Sequence, residues 1–232
     1  MKICTRQEIS LGFNIIISLL FFITWIDSLN GQVWWEETGK KYDYDLSNNR
    51  ILILLGDDFD YYETIIIKNF WENWGAKVEI AGVDTVLSGH LWKKTKIGWD
   101  RSEQRQIKAD LSLSQVRLSR YQVIFFPGGN SPKSLLEKDS LRVVKMIQKA
   151  NQKKLLIAGI CHGPQILAAA GIIRGRKVTG HPDVVKDFEM AGGEYTAEVC
   201  VVDGNIITGN WPYFETMAVK VAEKLLYPNS GD

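Results

Sequence analysis

A chain of 232 residues holds one α/β domain, or one domain with an appendage, and is too short for two full domains. Its 28 Lys and Arg stand against 27 Asp and Glu, a net charge of +1 with no electrostatic footprint for nucleic acid. The 45% hydrophobic and 24% charged fractions exclude wholesale disorder, and three Cys with three His exclude a disulfide scaffold or a zinc-finger array.

Residues 1–31 differ from everything after them. Lys2 and Arg6 precede an apolar run from Leu11 to Ile26, interrupted by Gly12, Asn14, Ser18 and Thr24 and closed by Asp27. The run is long for a signal-peptide core and short for a membrane-spanning helix. Positive charge before it and Asp27, Glu36 and Glu37 after it send the remainder of the chain out of the cytoplasm. The expectation is an extracytoplasmic domain, either released by cleavage or anchored to a membrane through residues 11–26. Cys4 precedes the run and so cannot be a lipid-bearing cysteine. Residues 32–49 are a spacer without period, in which Trp34 and Trp35 pack on the domain or sit at the bilayer interface.

A domain spans 50–228. Ile51–Leu55 predicts a buried strand, and Ile66, Phe70 and Trp74 give helical spacing over Tyr62–Trp74, ended by Gly75. Strands are expected at Lys77–Ile80, Tyr121–Phe126, Lys154–Ile160, Lys177–Thr179, Ala197–Val202 and Asn205–Thr208. Helices are expected at Pro132–Ala150, Gly163–Ala170 and Phe214–Leu226. Continuous apolar strands interleaved with helices imply an α/β fold, a mostly parallel sheet covered on both faces. The reactive crevice then lies beyond the carboxyl ends of the strands. Gly89–Lys108, rich in Lys and Arg, interrupts the pattern and reads as a solvated insertion.

Gly159-Ile160-Cys161-His162-Gly163 stands where a buried strand turns into a helix. Gly-x-Cys-x-Gly is a nucleophile elbow with sulfur in place of oxygen. A helix start facing the thiol would lower its pKa below the free value of about 8.5. Two other strand ends converge on this point. Glu63 opens the helix after the first strand, either as an exposed first-turn acid or as a protonated partner of the sulfur. Gly128 and Gly129 present backbone N–H groups suited to a developing oxyanion.

These residues resemble the DJ-1/PfpI family. The resemblance runs from about Ile51 to Leu226 and is carried by AGICHGPQILAAAG (158–171), IFFPGGNSP (124–132), RGRKVTGHP (174–182) and DDFDYYET (57–64). It implies a flavodoxin-like three-layer sandwich, a homodimer or larger homo-oligomer, and no cofactor. It places the nucleophile on Cys161, its adjacent histidine on His162, the acid on Glu63 and a further pocket position on His181. The archaeal PfpI-type peptidases orient the histidine with a glutamate just after the PGG-x-x-P proline; that position here is Lys133, which weakens a peptidase assignment.

His162 is the candidate base, His181 lines the pocket, and His90, in the polar insertion, is expected to be solvated. No histidine pair has the spacing of a helical metal site, and no metal is expected. Cys200 belongs to an alternating strand and is expected to pack as a free thiol. No histidine follows His181, which excludes a glutamine amidotransferase. Three functions stay open: a cofactor-free cysteine enzyme acting on small reactive carbonyls, of glyoxalase III or deglycase type in stress protection; a PfpI-like peptidase or amidohydrolase; and a thiol redox sensor or chaperone. The partners expected are a small carbonyl or peptide substrate, with no nucleic acid.

Overall fold

The computed structural model describes residues 42–95 and 98–228. The leader and most of the spacer lie outside the described residues. No helix among those described is long and apolar enough to cross a membrane.

The chain order is β1 (Arg50–Leu55), β2 (Phe59–Asp60), α1 (Tyr61–Asn73), β3 (Lys77–Gly82), β4 (Val86–Thr95), β5 (Gly98–Lys108), β6 (Leu111–Ser112), β7 (Val123–Phe126), α2 (Ser131–Gln152), β8 (Leu156–Ile160), α3 (Gln165–Ala169), β9 (Lys177–Val178), α4 (Val185–Met190), β10 (Glu194–Tyr195), β11 (Cys200–Asp203), β12 (Ile206–Gly209) and α5 (Phe214–Leu226). The main sheet runs β11-β12-β8-β7-β1-β3-β6, parallel except for the β11–β12 pair.

Strand alternation assigns the two faces. Leu52, Leu54, Ile124, Phe126 and Ile157 join one buried cluster with Leu135, Val143 and Ile147 of α2 and Ile166 and Leu167 of the α3 segment. On the other face Phe125 meets the edge of Trp71 on α1, with ring centroids 5.1 Å apart. The Trp71 indole N–H donates to Ala218 O of α5 at 3.2 Å, so the largest buried side chain carries no unsatisfied donor. Apolar residues at successive positions of β1 and β7 are thus required by helices on both sides, and the result is a three-layer α/β sandwich.

The polar stretch at 89–108 is not a solvated insertion. It forms most of an antiparallel hairpin, β4–β5, joined to β2 in a second sheet. Leu87 and Leu91 on β4 are buried, so the hairpin has an inner face even though β5 is mostly polar. Several boundaries also shift. The strand expected from Lys154 starts at Leu156, and Lys154 itself takes a positive φ of 58° after α2. The helix expected at Gly163–Ala170 is the five-residue α3. The strand expected at Ala197–Val202 is β11 at Cys200–Asp203.

Candidate active site

Cys161 follows β8 directly and holds φ at 59°, a left-handed conformation that a non-glycine residue rarely adopts. Its backbone is pinned from two sides: its N–H donates to Gly209 O at 2.9 Å, and its carbonyl accepts the His181 N–H at 2.9 Å. A Cβ on Gly163 would lie 2.1 Å from Phe126 O, so the turn passes too close to β7 for any other residue. The elbow expected from Gly-x-Cys-x-Gly is therefore present as strained backbone. The thiol is buried, with 6% of the residue exposed.

The His162 ring does reach the sulfur, with Nδ1 3.2 Å from Sγ. Its other neighbour is His181, stacked at 4.6 Å between centroids with 19° between planes. His181 Nδ1 accepts the Asp183 N–H at 3.3 Å and lies 3.4 Å from Asp183 Oδ2. Burial, then the His181 charge, pushes His162 down to about 4; it is neutral at pH 7 and able to accept a proton. His162, His181 and Asp183 place ligand atoms within 4.8 Å of one another, a cluster that sequence spacing conceals because it joins two strand ends. These are the residues that would hold a metal ion.

Glu63 is fully buried, not an exposed first-turn acid. Asp60 caps α1 by accepting the Glu63 N–H at 3.1 Å, which turns the glutamate inward. The Glu63 carboxyl lies beside the Cys161 thiol, and its Oε2 accepts the Gly128 N–H. The Gly128 amide is thus not available to an oxyanion, contrary to expectation; it is committed to holding the acid. Gly129, with φ of 64°, lines the pocket.

Burial pushes Asp60 up to about 7. Burial, with the Asp60 charge behind it, pushes Glu63 well above the usual carboxylate range, so Glu63 is the protonated member of the pair. The thiol shifts opposite to the expected direction: burial raises it, and the Glu63 and Asp60 charges raise it further, against a backbone hydrogen bond from His162 that lowers it. A five-residue α3 supplies too little dipole to offset burial. Protonation of Glu63 removes the nearer of the two opposing charges.

These groups open into a cavity of about 420 Å³, whose outer wall includes Trp92, Arg101 and Trp211. A larger cavity, about 600 Å³, lies by Tyr121, Leu156 and Lys224, away from this chemistry. No sequence signal marks Trp92, Arg101 or Asp183 as pocket residues, and two of them sit in the stretch assigned to solvent. Nor is His90 solvated: its Nε2 lies 2.9 Å from Asp58 Oδ1, and Arg101 reaches Asp58 Oδ2 at 2.8 Å. Lys133 is exposed and 3.7 Å from Glu137, so the position after the proline brings no acid to His162. Cys200 is a free thiol, mostly buried and pushed up to about 12 by that burial. It pairs with Gly209, which pairs with Ile160; two strand spacings of about 4.8 Å keep it beyond disulfide reach of Cys161.

The DJ-1/PfpI family model matches residues 49–224. Deglycase PH1704 of Pyrococcus horikoshii is 29% identical over 165 residues, 70% of this chain and 90% of that protein. Deglycase PfpI of Pyrococcus furiosus is 30% identical, again over 70% and 90% of the two chains. The crystal structure of Drosophila melanogaster DJ-1beta aligns with a TM-score of 0.65 at 27% identity, covering 76% of this chain and 90% of that one.

Proposed function

The chain belongs to the DJ-1/PfpI family, and from that premise we propose that it is a cofactor-free cysteine enzyme converting small α-oxoaldehydes to 2-hydroxy acids. The observation that carries this is Cys161, held in strained backbone between a buried, protonated carboxyl group and a neutral imidazole.

The thiol proton passes to His162 Nδ1 as Sγ bonds to the aldehyde carbon, and Glu63 protonates the oxygen that the breaking carbonyl π bond leaves negative. The Glu63 carboxylate so formed removes the hydrogen of that carbon as a proton while protonated His162 passes the former thiol proton to the ketone oxygen. Glu63 then returns its proton to the former ketone carbon and takes up the hydroxyl proton of the sulfur-bearing carbon, whose C=O re-forms. One carbon is oxidised and the other reduced, giving a thioester of the 2-hydroxy acid. His162, neutral again, takes a proton from water as the water oxygen displaces the sulfur, and returns that proton to the leaving thiolate. The sum is R–CO–CHO plus water giving R–CHOH–COO⁻ and a proton, with no outside oxidant or reductant.

Support for the peptidase alternative is weaker, because exposed Lys133 stands where an orienting acid would be. A redox sensor or chaperone uses the same thiol and predicts oxidation-dependent partner binding without turnover. We further propose that the domain acts outside the cytoplasm, released or anchored through residues 11–26, and as a homodimer or larger homo-oligomer. Fractionation of a tagged full chain and light scattering test these two points.

The functional test is methylglyoxal consumption by the full chain without added cofactor, beside Cys161→Ser. Turnover lost in the variant supports the enzyme. No turnover by the fully reduced wild type rejects it for this substrate.

A further inference from the structure

Arg101 projects from β5 into the outer wall of the Cys161 pocket and is the only Lys or Arg among the described residues lining it. Its guanidinium is placed by two neighbours. It sits over the Trp92 ring at 5.6 Å, opposite it in the hairpin register, and contacts Asp58 Oδ2 at 2.8 Å. Asp58 in turn is held in a left-handed conformation, φ 61°, and engages His90 and Asn130 besides Arg101. A guanidinium carries five N–H donors in a rigid fork, so one carboxylate at one nitrogen leaves geometry for a second. The Arg101 side chain keeps 43% of its surface exposed, so the charge is positioned without being buried.

The cavity has room for more than a three-carbon substrate. At about 420 Å³ it falls in the range that encloses drug-sized ligands, whereas methylglyoxal has five heavy atoms. For a longer substrate with its aldehyde at Cys161, the remaining walls are Trp92 and Arg101 of the hairpin and Trp211. Asp183, exposed on the loop after β9, repels an anionic tail from the His181 side and favours the Arg101 side.

We propose that this pocket selects α-oxoaldehydes bearing a carboxylate at the far end, and that Arg101 is the residue that binds it. The inference rests on the carbonyl-enzyme assignment above, and two experiments separate their failures. The first compares 4,5-dioxovalerate with methylglyoxal in the wild type, Arg101→Gln and Arg101→Lys. The ratio of kcat/KM for the charged over the uncharged substrate is expected to exceed tenfold in the wild type. It falls at least tenfold in Arg101→Gln, mainly through KM, and recovers in part in Arg101→Lys. A ratio unchanged by Arg101→Gln, or both substrates losing equally, overturns the inference and leaves Arg101 as a structural partner of Asp58.

The second experiment needs no turnover. Calorimetry on Cys161→Ser with levulinate, which carries the ketone and carboxylate but no aldehyde, is set beside pentan-2-one. Tighter levulinate binding that disappears on adding Arg101→Gln supports the carboxylate site even if neither aldehyde is consumed, in which case only the enzymatic assignment fails. Equal binding of the two ketones overturns the site.

Discussion

The Gly128 N–H donates to Glu63 Oε2 across the gap between the end of β7 and the first turn of α1. A Cβ at Gly128 would lie 2.8 Å from both that oxygen and the Cys161 Cβ. The acid and the thiol can meet because nothing but a hydrogen stands on Gly128.

Gly128→Ala is therefore expected to displace Glu63 or Cys161 by a large fraction of an ångström. Displacements of that order cost roughly 100-fold in rate. The check is kcat for methylglyoxal, with near-native circular dichroism showing that the fold survives.

Glu63→Gln keeps the size and the neutral charge of the protonated acid but cannot give up a proton. If Glu63 shuttles protons, as proposed, kcat falls by about 10²–10⁴, while free Cys161 still reacts with a small alkylating reagent. Equal alkylation rates in wild type and variant, together with unchanged kcat, would reduce Glu63 to a packing role.

Asp60 provides a stability signature. Its folded pKa of about 7 stands above the value of about 3.9 in an unfolded chain, so the native state binds the extra proton between these limits. Stability consequently falls as pH rises through this window, by about 1.4 kcal/mol for each pH unit crossed. Asp60→Asn keeps a good N-cap and removes the titration. Denaturant melts at pH 5 and pH 8 are expected to differ less in the variant than in the wild type. Glu63, also raised by burial, contributes in the same direction.

Trp71→Ala removes the side chain that joins α1 to β7 and α5. The expected loss is about 3–5 kcal/mol, measured as a lowered denaturant midpoint with little change in the activity of the folded fraction.

The sheet and its crevice are legible in the sequence because the buried strands are uniformly apolar and the elbow has a local signature. Ile51–Leu55 and Phe214–Leu226 need no tertiary information to be read, and α5 spans the predicted residues. Glu63 is not readable from periodicity, since its burial depends on Gly128, distant in sequence. The hairpin is hidden for a related reason. Its outer strand is charged, and its inner contacts, His90 and Arg101 to Asp58, join segments that carry no shared pattern. The direction of the thiol shift is hidden too, because Gly-x-Cys-x-Gly announces a helix start but gives neither the helix length nor the two acids buried beside the sulfur.

The most direct test of cysteine-based carbonyl chemistry is mass spectrometry of the reduced full chain quenched during a single turnover of methylglyoxal. The expected result is an adduct with the mass of one substrate molecule on the peptide containing Cys161, decaying as lactate appears, and absent from Cys161→Ser. Lactate formed at the wild-type rate by Cys161→Ser, or an adduct confined to Cys200, would contradict it.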